Sequence, residues 1–298
     1  MMPLSLKSLA HRATWLAGCG AVVSLAGTGP AAVAGPAIDL FEASAAAADH
    51  GAVSGETIAP ASPVLDSVEK SLLGIFGNDV KVEASNKTVD RAGILERCLR
   101  PGTLDYLQFS SDSSGGKPLR ITTASSNRLP GRWPADMKSP TVMTIPGNST
   151  SWLVRRDSTL VMPTQIDQTQ SVLVRYDPPE VRVFAGTTPG PVDMGVKVYD
   201  VHGTGSPEHS GSLRVTATDR GVRRVTTPAG TFDAVMYRFD YKGTIGPASI
   251  EDSELFFACP ENGIVASVER KKVSAMIFYN TDTRFAYALV GSGKSGGK

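Results

Sequence analysis

From Thr103 onward the chain is written in a period of two. Short runs rich in Val, Ile, Thr, Tyr and Phe alternate with polar residues and are cut by Gly, Pro, Asn and Asp. Successive side chains of a strand point to opposite faces, so this pattern describes sheets with two unlike faces. The plainest case is Val235, Tyr237, Phe239 and Tyr241 on one face, with Met236, Arg238, Asp240 and Lys242 on the other. Runs of this kind recur at Leu119–Thr123, Thr141–Ile145, Ser151–Arg155, Ser171–Tyr176, Glu180–Phe184, Met194–Val201 and Ser212–Thr218. No strand–helix–strand alternation occurs, which excludes a doubly wound parallel sheet. No fixed-period repeat points to a propeller or solenoid. The predicted fold is mainly β: a curved antiparallel sheet or incompletely closed β-barrel with one or two N-terminal helices.

Turns punctuate the C-terminal part. Thr227-Pro228-Ala229-Gly230 joins strand Gly221–Thr226 to the strand through Tyr237; Pro228 presets one turn angle and Gly230 tolerates positive φ. Asn262-Gly263 is a hairpin turn between Ser253–Cys259 and Ile264–Glu269. Ala275–Tyr279 and Arg284–Val290 supply two more strands. Upstream, Ser62-Pro63 opens a helix in which Val64, Leu65, Val68, Leu72, Ile75 and Phe76 share a stripe, with Gly77-Asn78 as its stop. Such a stripe packs on its own domain or meets a membrane or partner. A second helix is predicted over Asp90–Leu99, ended by Pro101-Gly102. Residues 62–290 therefore read as a single β-rich domain. Residues 35–61, rich in Ala, Gly, Ser and Pro, read as a flexible linker, and 291–298 as a disordered tail.

The first 34 residues have the three parts of a secretory signal. A basic start with Lys7 and Arg12 precedes an apolar stretch, Ala13–Ala26, and a small-x-small site, Ala32-Val33-Ala34, lies before Gly35. Periplasmic or secreted localisation follows. Leu16-Ala17-Gly18-Cys19 fits a lipobox, so lipidation at Cys19 with membrane anchoring is an alternative, and an uncleaved anchor is another. Cleavage would remove two basic residues and no acid. The whole chain has 30 Lys and Arg against 29 Asp and Glu, so the mature protein is close to neutral. Nucleic acid, which demands a basic face, is not an expected partner. Two cysteines, Cys98 and Cys259, would remain. In an oxidising compartment they can form a disulfide, and two buried thiols are the other reading.

Chemistry-bearing motifs are absent. There is no Gly-x-Ser-x-Gly elbow, phosphate loop, dinucleotide fingerprint or His-Glu-x-x-His, and no His and Cys cluster at metal-ligand spacing. Catalytic residues, metal ligands and cofactors are accordingly none. Asp252 and Glu254 share a strand face, either as an acid–base pair or as a solvated face. The basic run Arg270-Lys271-Lys272 reads as a charged turn tip or as a contact for anionic lipid or glycan. The main binding candidate is an apolar concave face lined by Tyr237, Phe239, Tyr241, Phe257 and Tyr279. A filled core built of the same residues is its rival.

Two segments carry a family likeness. Val225-Thr226-Thr227-Pro228-Ala229-Gly230-Thr231-Phe232-Asp233-Ala234 and Phe256-Phe257-Ala258-Cys259-Pro260-Glu261-Asn262-Gly263-Ile264-Val265 resemble hairpins of an exported bacterial family of unknown function. That family in turn resembles the Lol lipoprotein carriers, which implies a half-closed sheet around an apolar cavity. It has no established catalytic residues to carry over. The function expected is an exported, non-catalytic envelope protein that binds an apolar or lipid-like ligand. A structural or protein-binding β module, with an envelope protein as partner, is the alternative, and an unrecognised hydrolase is a third.

Overall fold

Asp66 sets the start of the first helix. Its carboxylate accepts from the Glu69 amide at 2.9 Å, and the Glu69 carboxylate accepts from the Asp66 amide at 2.9 Å. This reciprocal capping starts helix α1 at Ser67–Leu73, later than the expected Ser62-Pro63 opening. A 3-10 turn, Gly74–Phe76, follows, and Gly77 ends it at φ 58° as its position predicts. A short strand, β1 (Lys81–Ala84), leads to α2 (Arg91–Leu99), where Asp90 caps the Gly93 amide at 3.1 Å. The second helix thus lies where the sequence places it. The molecule is a computed structural model and describes residues 63–111, 115–130, 137, 140–203, 205–275 and 279–292. The expected signal segment and linker lie outside the described residues, as do residues 293–298 of the expected tail.

Twelve further strands follow: β2 (Gly102–Ser110), β3 (Lys117–Ser125), β4 (Thr141–Ile145), β5 (Ser149–Arg156), β6 (Thr159–Asp167) and β7 (Val172–Phe184). Then come β8 (Val192–Asp200), β9 (His209–Thr227), β10 (Gly230–Ile245), β11 (Ala248–Cys259), β12 (Gly263–Ala275) and β13 (Tyr279–Ser292). All pairings are antiparallel. The order β9-β10-β11-β12-β13-β2-β3-β4-β5-β6-β7-β8 returns to β9, so the ring is closed. β9 makes the closure with half its length. Residues 209–215 pair with β8, while residues 223–226 pair with β1.

Two local features let the sheet curl this far. Gly211 and Gly243 face one another's strands on β9 and β10, and an added Cβ at either would lie 2.0 Å from a backbone carbonyl oxygen. Only glycine permits that approach. On β7, Pro178 and Pro179 lack the N–H groups a ladder needs, and pairing with β8 ends at Asp177 opposite Gly195. The remainder of β7 stays with β6 but leaves β8. Near the α2 end of the barrel, called upper below, α2 packs beside β7 and the β11–β12 hairpin, with Ile94 and Leu95 fully buried.

α1 packs on the outside of the barrel. Leu72 and Phe76 join Met236, Leu255, Phe257 and Val268 in one cluster, with Phe76 edge-on to Phe109 at 5.4 Å. Glu69, wholly buried, meets Arg220 at 2.5 Å, and Asp66 meets Arg238 at 2.6 Å. The stripe therefore serves the protein's own domain. Val64, 83 % exposed, takes no part. Phe76→Ala should cost about 3–5 kcal/mol in denaturant unfolding, whereas Val64→Ala should change stability by less than about 0.5 kcal/mol. Equal effects of the two would contradict this docking.

Candidate functional site

Alternation along β10 turns Tyr237, Phe239 and Tyr241 into the lumen, as the sequence predicts, but they meet a filled interior. Tyr237 donates its hydroxyl to the Phe184 carbonyl at 2.9 Å, and the two rings stand 4.9 Å apart. Phe239 packs edge-on to Phe256 at 5.9 Å. Tyr241 donates to Glu180 at 2.8 Å. Phe257 does not share this face. On β11 it is Phe256 that stands opposite Tyr237, while Phe257 stands opposite Met236 on the outer side beneath α1. Tyr279 opens β13 opposite Ala275, and its side chain lies outside the described residues.

Below these aromatics the lumen is crossed by a charged layer. Arg182 comes from the second half of β7 and reaches both Glu180, at 2.5 Å, and Glu254, at 3.1 Å from each of two nitrogens. Its guanidinium lies 4.1 Å from the Phe256 ring centre. Glu269 stands opposite Glu254 in the β11–β12 ladder, and Lys271 opposite Asp252. Asp167 enters from β6, where it caps its own turn through Thr169 and Gln170. Five carboxylates thus share two cations. Gln165 and Ser151, paired across β5 and β6, are buried without protein hydrogen bonds for their side chains, so ordered water is their expected partner.

This layer corrects two sequence readings. Asp252 and Glu254 are buried rather than on a solvated face. The basic run is not a turn tip but the middle of β12: Lys271 points inward, Lys272 is exposed, and Arg270 pairs with Asp282 on the outside at 2.5 Å. Among the described residues no three acids, histidines or cysteines are arranged to hold a metal ion.

Burial pushes the Glu254 carboxyl up to about 8. Arg182 pulls the other way, but one guanidinium faces several acids, and Glu269 and Glu180 add repulsion. Burial, followed by the facing Glu269, holds Asp252 well above the usual carboxylate range. Asp167 is raised by burial, with its Thr169 hydrogen bond and Lys271 opposing.

Above the charged layer lies a cavity of about 330 Å³. Its walls include Leu104, Ile121, Met143, Leu153, Leu160 and Phe256, from six strands around the ring. Arg182 forms the floor, and the rim carries Arg97, Arg100 and Asn262 beside α2. Tyr106 spans the wall and donates to the Ile264 carbonyl at 2.8 Å. The open space is thus next to the predicted aromatic face, with Phe256 separating the two. None of these lining residues is a binding candidate from the sequence, where Phe256 and Asn262 figure only in a hairpin. The available signal was indirect: Phe256 precedes Phe257 in a run with no alternation.

Cys98 and Cys259 are both free, buried thiols, the second of the two readings the sequence left open. Cys98 belongs to the luminal cluster and Cys259 to the cluster under α1, on opposite faces of the wall. Burial pushes Cys98 up to about 12, with the neighbouring Cys259 adding to the shift, and Cys259 up to about 11. Both are inert at neutral pH. Cys19 lies outside the described residues.

No protein-family model and no curated protein matches the chain. Among solved structures, a protein from Bacteroides fragilis named as a putative exported protein with YmcC-like fold is similar at 15 % identity and a TM-score of 0.38. The alignment covers 64 % of this chain and 95 % of that one. At that score the likeness assigns neither a fold family nor a function to this chain.

Glu254 gives the site a pH signature. Its proton is kept in the fold up to about 8, while an unfolded chain loses it near the ordinary glutamate value of about 4.5. Stability from this group is complete in acid and is lost as pH rises between those values. Asp66 and Asp282, lowered by their amide and arginine partners, act only below the ordinary carboxylate range. Denaturant midpoints should therefore fall from pH 5 to pH 9, and Glu254→Gln should flatten the fall. A rise over that range, unaffected by the substitution, would contradict the assignment.

Proposed function

We propose that the protein is an exported, non-catalytic envelope component that binds a small apolar or lipid-like ligand in the upper lumen. The observation that carries this reading is the apolar cavity of about 330 Å³ between α2 and Arg182. It lies at the small end of ligand pockets, roughly 300–1,000 Å³. Export rests on the N-terminal pattern of basic start, apolar stretch and Ala32-Val33-Ala34. It leaves cleavage before Gly35 or lipid anchoring at Cys19 as the two routes to the envelope.

The second reading, a structural or protein-binding module with a filled core, draws support from the packed half of the lumen around Tyr237 and Phe239. A hydrolase gains nothing from the carboxylates, because Asp252 and Glu254 lie buried in the charged layer below the cavity. The ligand reading has the advantage of explaining why one part of an otherwise close-packed interior remains open.

A neutral fluorescent probe, N-phenyl-1-naphthylamine, separates the two. The protein should bind it saturably, near one per chain. Ile121→Trp, which fills the cavity from β3, should abolish binding at a stability cost of about 1–3 kcal/mol or less. Leu160→Phe serves as a second filling variant. No saturable binding to the unaltered protein, or unchanged binding in both variants, would leave the filled module.

A further inference from the structure

Charge is distributed along the lumen in one direction. At the floor, the Arg182 guanidinium is already engaged by Glu180 and Glu254, with Glu269 and Asp252 behind them. With its donors turned to those two carboxyl groups, Arg182 is not available to an incoming anion at the bottom. The middle is apolar: Ile121, Leu153 and Leu160 are all buried, and Phe256 closes one side.

The rim is the opposite of the floor. Arg97 lies in the last turn of α2, and Arg100 caps that helix. Arg97 is held in place because its Nε donates to the Glu261 carbonyl at 2.7 Å. Arg100 is placed by its backbone: its carbonyl accepts from Thr123 at 2.8 Å. Both line the mouth, and among the described residues neither makes an ion pair. Of the acids beside the rim, Glu96 is turned to Arg155 at 3.6 Å, and Glu261 meets Arg97 through its backbone carbonyl. Two guanidinium groups with donors to spare therefore stand over an apolar shaft.

We propose that the ligand is a single-chain anionic amphiphile of the fatty-carboxylate class, with its tail in the cavity and its carboxylate between Arg97 and Arg100. The volume admits one chain and not the two of a phospholipid. This rests on the cavity reading above and adds the head group and orientation.

Calorimetric titration of the full protein with laurate, dodecanol and dodecyltrimethylammonium, below their micelle concentrations, tests it. Laurate should bind about tenfold more tightly than dodecanol, the cation should bind weakest, and added salt should shrink the laurate advantage. The Arg97→Gln/Arg100→Gln double variant should bind laurate and dodecanol alike, with dodecanol affinity unchanged. Equal affinity of all three probes in the unaltered protein would overturn the head-group assignment while leaving an apolar site. So would a laurate preference that survives the double variant. Failure of all three to bind would overturn the cavity reading itself. Sedimentation with dioleoylphosphatidylglycerol vesicles should show no binding. Vesicle binding lost in the double variant would instead assign the arginines to a membrane surface.

Discussion

Arg182 is the side chain on which the interior arrangement turns. Beyond Pro178 and Pro179, β7 has no partner in β8 and must find its contacts across the lumen. Arg182 supplies them through two contacts to Glu254 on β11, while Glu180 from the same half-strand takes the Tyr241 hydroxyl. A buried guanidinium is tolerated only when its donors are matched, and losing one partner of such a pair costs about 3–5 kcal/mol. The pairing therefore pins β7 against β11. Phe184 can then pack on Tyr237, and the lumen is divided into a filled lower part and an upper part in which a cavity remains beside the packed aromatics.

The division accounts for what is filled and what is not. Below Arg182, the walls come close enough for Ile245, Ile250 and Val273 to pack with Val172 and Val198. Above it, β7 and the C-terminal half of β9 are no longer bridged by β8, and α2 occupies the opening instead. A helix cannot follow the inner surface of a sheet as closely as another strand does. Space is left beside it, lined by apolar residues of β2 through β6 together with Phe256. Arg97, which fixes α2 to the Glu261 turn, also places a charge at the mouth.

How much of this was legible depended on whether each strand has two unlike faces. β10 does, so Tyr237, Phe239 and Tyr241 were placed on the luminal face from alternation alone. β11 does not: Leu255, Phe256 and Phe257 are all buried, because the lumen lies on one side and α1 on the other. Alternation therefore gives β11 no phase, and the sequence does not tell the luminal Phe256 from Phe257 under α1. β6 escaped notice for the same reason, being buried from Leu160 to Gln165 with Pro163 inside it. The ends of β7 looked like two separate strands because Pro178-Pro179 divides them. The helix start shifted from Ser62 to Asp66 because the Asp66–Glu69 box outcompetes a lone serine. Arg182 and Lys271 were hidden because a charged residue in a strand normally marks the solvent side, and only the tertiary fold brings acids to meet them.

Xenon titration followed by methyl NMR tests the divided lumen most directly, since an empty apolar cavity admits xenon whatever its natural ligand. Saturable shifts are expected only at methyl groups of the upper lumen, such as those of Leu104, Ile121, Met143, Leu153 and Leu160. Val172, Val198 and Ile250, below Arg182, should stay still. Shifts spread through that lower group, or none in the upper one, would show that Arg182 does not divide the barrel into a filled and an open half.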